Sequence, residues 1–295
     1  MDWFWTFPHL DDEKMRALRA SIDDGFRAFT RNYGAALEAV FEPLRILLIQ
    51  SEWLLLNTPW PIVVLVIAGL GWLASRSWSI VIGAIVTLLL IGYFGMWEDT
   101  MRTVSMIFVC TVISLALGIP FGILMARSDR VQGIVNPVLD VMQTLPSFVY
   151  LIPVVMLLGI GRVPGLIAVV IYAIPPIIRL TNLGIRLVDK EVLEAADAFG
   201  SSGWQKLRNV QLPLAMPTIM AGINQTIMMA LAMVVIASMI GVQGLGQPVL
   251  RAINNQYFTM GMFNGLAIVG IAIIFDRISQ AFGKRIQKHR ELAHG

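Results

Sequence analysis

Glu191, Glu194 and Asp197 flank a pair of alanines, Ala195 and Ala196, in a charged stretch set between long apolar runs, and Gly200 closes it. After nine more residues comes Val210-Gln211-Leu212-Pro213. Acids set around two small residues and apolar neighbours in a polar loop suit docking to a partner. Val192, Leu193 and Phe199 are apolar anchors, the alanines allow close approach, and the acids add orientation and salt sensitivity. A second set of candidates is polar and sits inside apolar runs: Gln143, Thr144 and Ser147 in one, Asn224, Gln225 and Thr226 in another. Such groups either line a hydrophilic path or bond helix to helix. Groups suited to covalent or metal chemistry are few. His9, His289 and His294 lie in the tails, and the single cysteine, Cys110, reads as a small packed hydrophobe that excludes an internal disulfide. A phosphate-binding Gly-x-x-x-x-Gly-Lys-Ser/Thr is absent, and Gly200-Ser201-Ser202-Gly203 matches it in composition alone. Gly241, Gly244 and Gly246 follow an apolar helix rather than a strand, which predicts a tight turn and not a phosphate loop.

The elements that must position these groups are membrane helices. With 57% hydrophobic and 14% charged residues and a mean hydropathy of +0.73, the 295-residue chain lacks the polar surface of a water-soluble globule. Spans are predicted near 59–74, 78–96, 104–126, 137–158, 163–182, 218–240 and 262–280, by the requirement for about 20 apolar residues each. No ten-residue alternating segments suggest an outer-membrane barrel. Arg186, Lys190, Lys206 and Arg208 in the 183–217 loop, and Lys284, Arg285, Lys288 and Arg290 in the C-terminal tail, place both on the cytoplasmic side. Arg76, Arg127 and Arg130 fall on the same side, while the opposite loops hold Arg102, Arg162 and Arg251. Seven spans then put the N-terminus outside; a re-entrant 59–74 would put it inside. The first 58 residues carry nine acids against six Lys and Arg, a balance compatible with translocation. Residues 1–10 have neither a basic start nor a continuous apolar core, so no removable signal peptide is expected.

Before the first span, residues 11–31 are charged and mixed in sign, either a solvated helix or a flexible tail. From about 36 to 56, Glu38, Glu42, Arg45 and Glu52 recur on one face, with Val40, Phe41, Leu44, Leu47, Leu48 and Leu55 mostly away from it. This predicts an amphipathic helix in the membrane interface, anchored by Trp53 and Trp60. Pro120, Pro146 and the pair Pro175-Pro176 predict kinks within spans, and Gly118, Gly122 and Ala126 at four-residue spacing predict a close helix–helix approach.

Within the charged loop, Asp189 is placed to cap a short helix over 190–199, and Gly200 to end it in the left-handed conformation. Ser202-Gly203-Trp204-Gln205 reads as a capping box opening a second short helix, which Pro213 and Pro217 should limit before the next span. The product is a helix–turn–helix elbow.

The pattern Glu-Ala-Ala, three residues, Gly, nine residues, an aliphatic, one residue, Leu-Pro resembles the "EAA loop" of binding-protein-dependent ABC importer permeases. Glu194, Ala195, Ala196, Gly200, Leu212 and Pro213 match it, and Val210 stands where isoleucine is usual. The resemblance implies that 190–213, with Phe199 as an apolar anchor, is the coupling loop that sits in a cleft of an ATP-binding subunit. The stretch from Met142 to Pro153 with Gly159-Ile160-Gly161, and that from Ile236 to Gly246 with Val249-Leu250-Arg251, resemble permease subunits for glycine betaine, proline betaine and choline. Val242-Gln243 departs from the family's usual Ala-Gly.

The resemblance, covering roughly 100–285, implies an all-α polytopic permease bundle of the type I importer class, about seven spans with an N-terminal interfacial helix. Its parts are a tail with interfacial helix (1–58), peripheral helices (59–100), a core (101–285) carrying the coupling loop, and a cytoplasmic tail (286–295). It further implies the bacterial inner membrane, a second copy of the chain, two ATP-binding subunits that hold the ATP and magnesium, and an extracytoplasmic binding protein. The chain itself should carry no cofactor, catalyse nothing and bind no nucleic acid. Proline or histidine is an alternative cargo. An ion-driven secondary transporter would need membrane-embedded ionisable groups or inverted repeats, and a membrane enzyme would need converging catalytic side chains.

Overall fold

A computed structural model describes Phe7 and residues 10–294, with side chains described through Arg285. His9 and the side chains of Lys288, His289, Arg290 and His294 therefore lie outside the described residues. Among the described residues all regular structure is helical. In chain order the helices are α1 (Asp12–Asn57), α2 (Trp60–Ser75), α3 (Trp78–Tyr93), α4 (Trp97–Arg127), α5 (Asp129–Thr144), α6 (Leu151–Leu158), α7 (Arg162–Ala173) and α8 (Pro175–Arg186). There follow α9 (Lys190–Ala198), α10 (Gly203–Lys206), α11 (Leu212–Ala237), α12 (Gly246–Asn255) and α13 (Phe258–His294).

Helices α4, α8 and α11 form the centre, with α7 stacked on the same group; α13 packs on the far side of α11 and carries α2 and α3. Glycine decides how closely the central helices meet. A Cβ built on Gly118 would lie 2.3 Å from Ile177 Cγ2, and one on Gly122 would lie 2.5 Å from Thr181 Cβ and 2.7 Å from the Ile178 carbonyl oxygen. The expected close approach of α4 is thus found, against α8. On the other side of α8, Gly184 faces Ala215 and Thr218, and Gly222 faces Leu180 and Ile177. In lipid there is little hydrophobic drive between helices, so this backbone proximity and its dispersion contacts carry the association. Cys110 is fully buried in α4 beside Leu166, in the setting expected of a packed hydrophobe.

The chain travels end to end repeatedly. Leu56, Trp60, Tyr93 and Trp97 line one cavity at the end of the bundle that holds Arg102, whereas Leu73 of α2 accepts a hydrogen bond from Arg285 at the other end. Among the described residues four helical stretches are long and apolar enough to cross a membrane: Trp97–Arg127, Arg162–Arg186, Gly203–Ile240 and Phe258–Arg285. Counting two bent pairs as single spans raises this to six. The sequence reading of about seven exceeds this by α3, whose 16 residues make about 24 Å of helix against a hydrocarbon core of about 30 Å; α2, equally short, is counted only together with α1.

The expected span over 137–158 is replaced by two helices meeting at 111°. Leu145, held extended (ψ 134°) by the following Pro146, ends α5, and a 3₁₀ turn, Ser147–Tyr150, leads into α6. Tyr150 donates its hydroxyl hydrogen to the Met142 carbonyl across the bend. Of the other proline sites, Pro120 lies inside an unbroken α4, whereas the helix is interrupted ahead of Pro175-Pro176: α7 stops at Ala173 and α8 restarts at Pro175, whose missing amide costs α8 no helix bond.

The N-terminal region forms one 46-residue helix, so 11–31 is mostly α-helix and not a separate tail. Its later half packs on α4, α6 and α7, burying Leu48, and a 110° turn separates it from α2. Glu42 and Arg45 pair on its exposed side at 2.6 Å, and the hydrogen bond from Arg45 holds the Glu42 carboxyl below the usual carboxylate range. Glu52, assigned by periodicity to the same polar face, instead turns into the bundle.

Candidate functional site

The 187–211 segment forms the elbow, and each half of it is made by short-range bonds. Asp189 Oδ1 accepts from the Glu191 amide at 2.9 Å and starts α9. At the other end Gly200 takes φ +77°, its amide donates to the Asp197 carbonyl at 2.9 Å, and the Ser201 amide donates to the Ala196 carbonyl at 3.1 Å. Those two bonds, 5→2 and 6→1, are a complete Schellman motif, which only a left-handed residue closes without strain. Ser202 then starts α10 by accepting from the Gln205 amide at 3.3 Å while Gln205 Oε1 accepts from the Ser202 amide at 2.8 Å. Lys206 Nζ reaches back to Asp197 Oδ2 at 2.6 Å and ties the two helices together.

Since Ser202 satisfies one otherwise orphaned amide, Ser202→Ala is expected to cost about 1 kcal/mol locally. Hydrogen exchange at Gln205 should rise about fivefold with the amides of α11 unchanged; equal exchange at Gln205 would count against the box.

One expectation fails here. Pro213 and Pro217 do not end the second helix: α10 runs through a π-helical turn, Leu207–Gln211, into α11, and the stretch from Gly203 to Ile240 is one helix. In the wider turn the Leu212 amide donates five residues back to the Leu207 carbonyl. The register change falls just before Pro213, which has no amide to offer, so the proline is absorbed at the second position of α11. The elbow is thereby welded to a central helix.

The motif residues divide between two locations. Glu194, Ala195, Phe199 and Gly200 are exposed and Ala196 half-buried, and α9 buries no residue at all; Phe199 is 91% exposed and Trp204, 62% exposed, stands on the adjoining helix. Both aromatics thus stand exposed beside the acidic residues of the turn. Leu212 and Pro213, by contrast, are half-buried at the root of α11, where Leu212 packs with Leu207, Ala215 and Ile219. They fix where the elbow joins the bundle.

The candidate path residues are not brought together. Gln143 and Thr144 are exposed at the end of α5, and Ser147 opens the 3₁₀ turn beyond the bend, so these three do not share a span. On α11, successive residues point about 100° apart. Asn224 Nδ2 therefore donates to Asp276 Oδ1 of α13 at 3.0 Å, Gln225 faces outward, and Thr226 is fully buried. Asp276 is interior to α13 and also accepts from Gln280 at 2.7 Å. Asp140 pairs with Arg179. Arg186 bonds the Met125 carbonyl at the end of α4 at 2.8 Å and Asp129 at 2.7 Å, joining three helices just ahead of the elbow.

Sequence reasoning missed several contacts. Tyr150 and Tyr172 meet edge-on with ring centres 5.8 Å apart, although 22 residues separate them and Tyr150 is buried. The predicted turn at Gly241 and Gly244 is present, with φ of +87° and +134°, but α12 after it was not anticipated because it is too polar for a span. A third cluster, Glu52, Arg102, Arg162 and Gln243, occupies the end opposite the elbow.

Comparison with known proteins bears on the whole bundle. The glycine betaine/carnitine transport permease protein GbuB of Listeria monocytogenes serotype 1/2a (strain 10403S) is 50% identical over 237 residues, 79% of this chain and 84% of that one. The glycine betaine/proline betaine transport system permease protein ProW of Escherichia coli (strain K12) is 45% identical over 263 residues, 89% of this chain and 74% of that one. Among solved structures, an inward-facing conformation of the MetNI methionine ABC transporter superposes with a TM-score of 0.57 at 19% identity, covering 62% of this chain and 92% of that one. That likeness shows the fold, a type I ABC importer permease. Residues 118–288 match the family described as "Binding-protein-dependent transport system inner membrane component". With more than half of the chain inside that match, and relatives near half identity over most of their length, the protein is a multi-pass membrane protein of the binding-protein-dependent inner-membrane transport family.

Proposed function

We propose that the chain is the translocating subunit of an ATP-driven importer for a quaternary-ammonium zwitterion of the glycine betaine type. The carrying observation is the elbow: an exposed, capped surface continuous through the π turn with α11. Force applied at Phe199 and Glu194 would travel along a helix that packs against α4, α7, α8 and α13, which suits a lever between an ATP-hydrolysing partner and a gated path. ATP and magnesium belong to that partner. Two copies of the chain, two ATP-binding subunits at the elbows and a binding protein at the opposite end make the working assembly.

The cargo class follows from the two relatives, named for glycine betaine, carnitine and proline betaine, each a carboxylate with a permanently charged nitrogen. The elbow end, rich in Lys and Arg, faces the cytoplasm with the C-terminus, and the N-terminus lies outside. Two of the arginines that weigh against this orientation, Arg102 and Arg162, are both paired with Glu52. Helix α1, turned 110° from α2, lies along the outer interface.

The test is uptake of labelled glycine betaine into proteoliposomes holding the permease, its ATPase and binding protein. Uptake should require internal ATP and fall with excess carnitine or proline betaine but not histidine. Equal competition by histidine would overturn the cargo assignment, and uptake without ATP would overturn the importer.

A further inference from the structure

At the end of the bundle away from the elbow, one carboxylate joins three parts of the chain that are far apart in sequence. Glu52 of α1, with its side chain 12% exposed, lies 3.3 Å from Arg102 Nε of α4 and 2.7 Å from Arg162 Nη1 at the start of α7. The other arm of the Arg162 fork donates to Gln243 Oε1 at 2.5 Å. Asp99 and Glu98 contact the far side of Arg102, at 3.2 and 3.5 Å. Leu48, Met106 and Val242 line the space beside these polar groups, about 10 Å³, barely room for one water. Glu52 is the most shielded of the group, since the Arg102 and Arg162 side chains are 27% and 37% exposed and Gln243 is exposed.

Gln243 belongs to the glycine turn after α11. That turn is pressed against the turn before α7, since a Cβ on Gly241 would meet Ile160 at 3.1 Å. Besides the packing of buried Val242 on Gly165, two polar devices hold it among the described residues. Thr103 donates nothing to it but accepts the Leu245 amide at 2.9 Å, a bond internal to the core. The other device reaches it from outside the core, through Arg162, and ends on α1.

We propose that Glu52 is a positioning residue of the gate at this end: it holds Arg162 on Gln243, so that α1 must move with the 241–245 turn or release it whenever this end opens. The proposal rests on the transport reading above. It makes α1 a working part of the gate rather than a membrane anchor alone.

The test uses the full transporter in proteoliposomes, with spin labels at Trp53→Cys and Met239→Cys, both exposed positions; the native Cys110 is fully buried and stays unlabelled. Glu52→Gln should broaden the distance distribution between α1 and the turn. It should lower maximal uptake about tenfold, because the shielded carboxylate no longer holds the two arginines, with the KM for loaded binding protein changed less than twofold. Glu52→Asp should retain at least half of the uptake. Arg162→Lys, which keeps the charge but cannot fork to Glu52 and Gln243 together, should reproduce the Glu52→Gln result and serves if that variant does not fold. An unchanged distance distribution in both Glu52→Gln and Arg162→Lys would overturn the proposal, whatever happens to uptake. If the unsubstituted protein takes up no betaine, the transport reading fails, while the distances still decide whether Glu52 holds the turn.

Discussion

Gly122→Val is expected to prevent the bundle from assembling. The added Cβ would fall 2.5 Å from Thr181 Cβ and 2.7 Å from a backbone carbonyl oxygen, and its two methyl groups need room beyond that. Overpacking of a flexible core typically costs about 1–3 kcal/mol. Here one of the opposed atoms is helix backbone, which cannot rotate away, so α4 and α8 must separate and the cost should exceed that range. Gly118→Val should act the same way through Ile177. The measurement is the yield of monodisperse protein in detergent and its thermal midpoint, with Gly133→Ala as control. Position 133 has nothing within 4 Å, so that change should leave the midpoint within a few degrees. A normal midpoint for Gly122→Val would mean that α4 and α8 do not cross where the structure has them.

The second large effect is on coupling. Gly200→Val puts a β-branched residue at φ +77°, with nothing within 4 Å of the new Cβ. The penalty is therefore conformational, of order 1–2 kcal/mol or more, and it falls on the Schellman turn that sets the angle between α9 and α10. Membrane insertion and thermal midpoint should be unchanged, because α9 buries nothing against the bundle. ATP-dependent uptake should drop at least tenfold while the partner's ATPase continues. Glu194→Lys should uncouple similarly by reversing charge on the exposed face. Gly200→Asn is the informative companion: asparagine tolerates the left-handed region, so it should recover much of the uptake. Full uptake in both Gly200→Val and Glu194→Lys would remove the elbow from the coupling path.

Reading the elbow from sequence succeeded because its bonds are short. Asp189 to Glu191, Ser202 to Gln205 and the Gly200 turn each close within a few residues, and for such contacts residue type and spacing are nearly sufficient. The same local rules misjudged Pro213 and Pro217. A proline stops a helix only if the missing amide is left uncompensated, and the π turn at Leu207–Gln211 removes that condition for Pro213, while Pro217 is simply carried inside α11. Pro146 does break its helix, although nothing in its immediate sequence separates it from Pro120.

Apolar length predicted that the chain lives in a bilayer, and glycine spacing predicted that α4 meets another helix closely; both depend on composition and on one helix's own geometry. Which helix it meets, and that Asn224, Gln225 and Thr226 point three ways, depended on how the helices turned about their axes. The Glu52 cluster shows the limit most clearly. Its partners lie 50 and 110 residues along the chain, and periodicity had put Glu52 on an outer polar face. A helix's sequence records which side is less polar. Whether a lone carboxylate turns inward is decided by arginines that other helices bring to the same end, a fact belonging to the packed bundle alone.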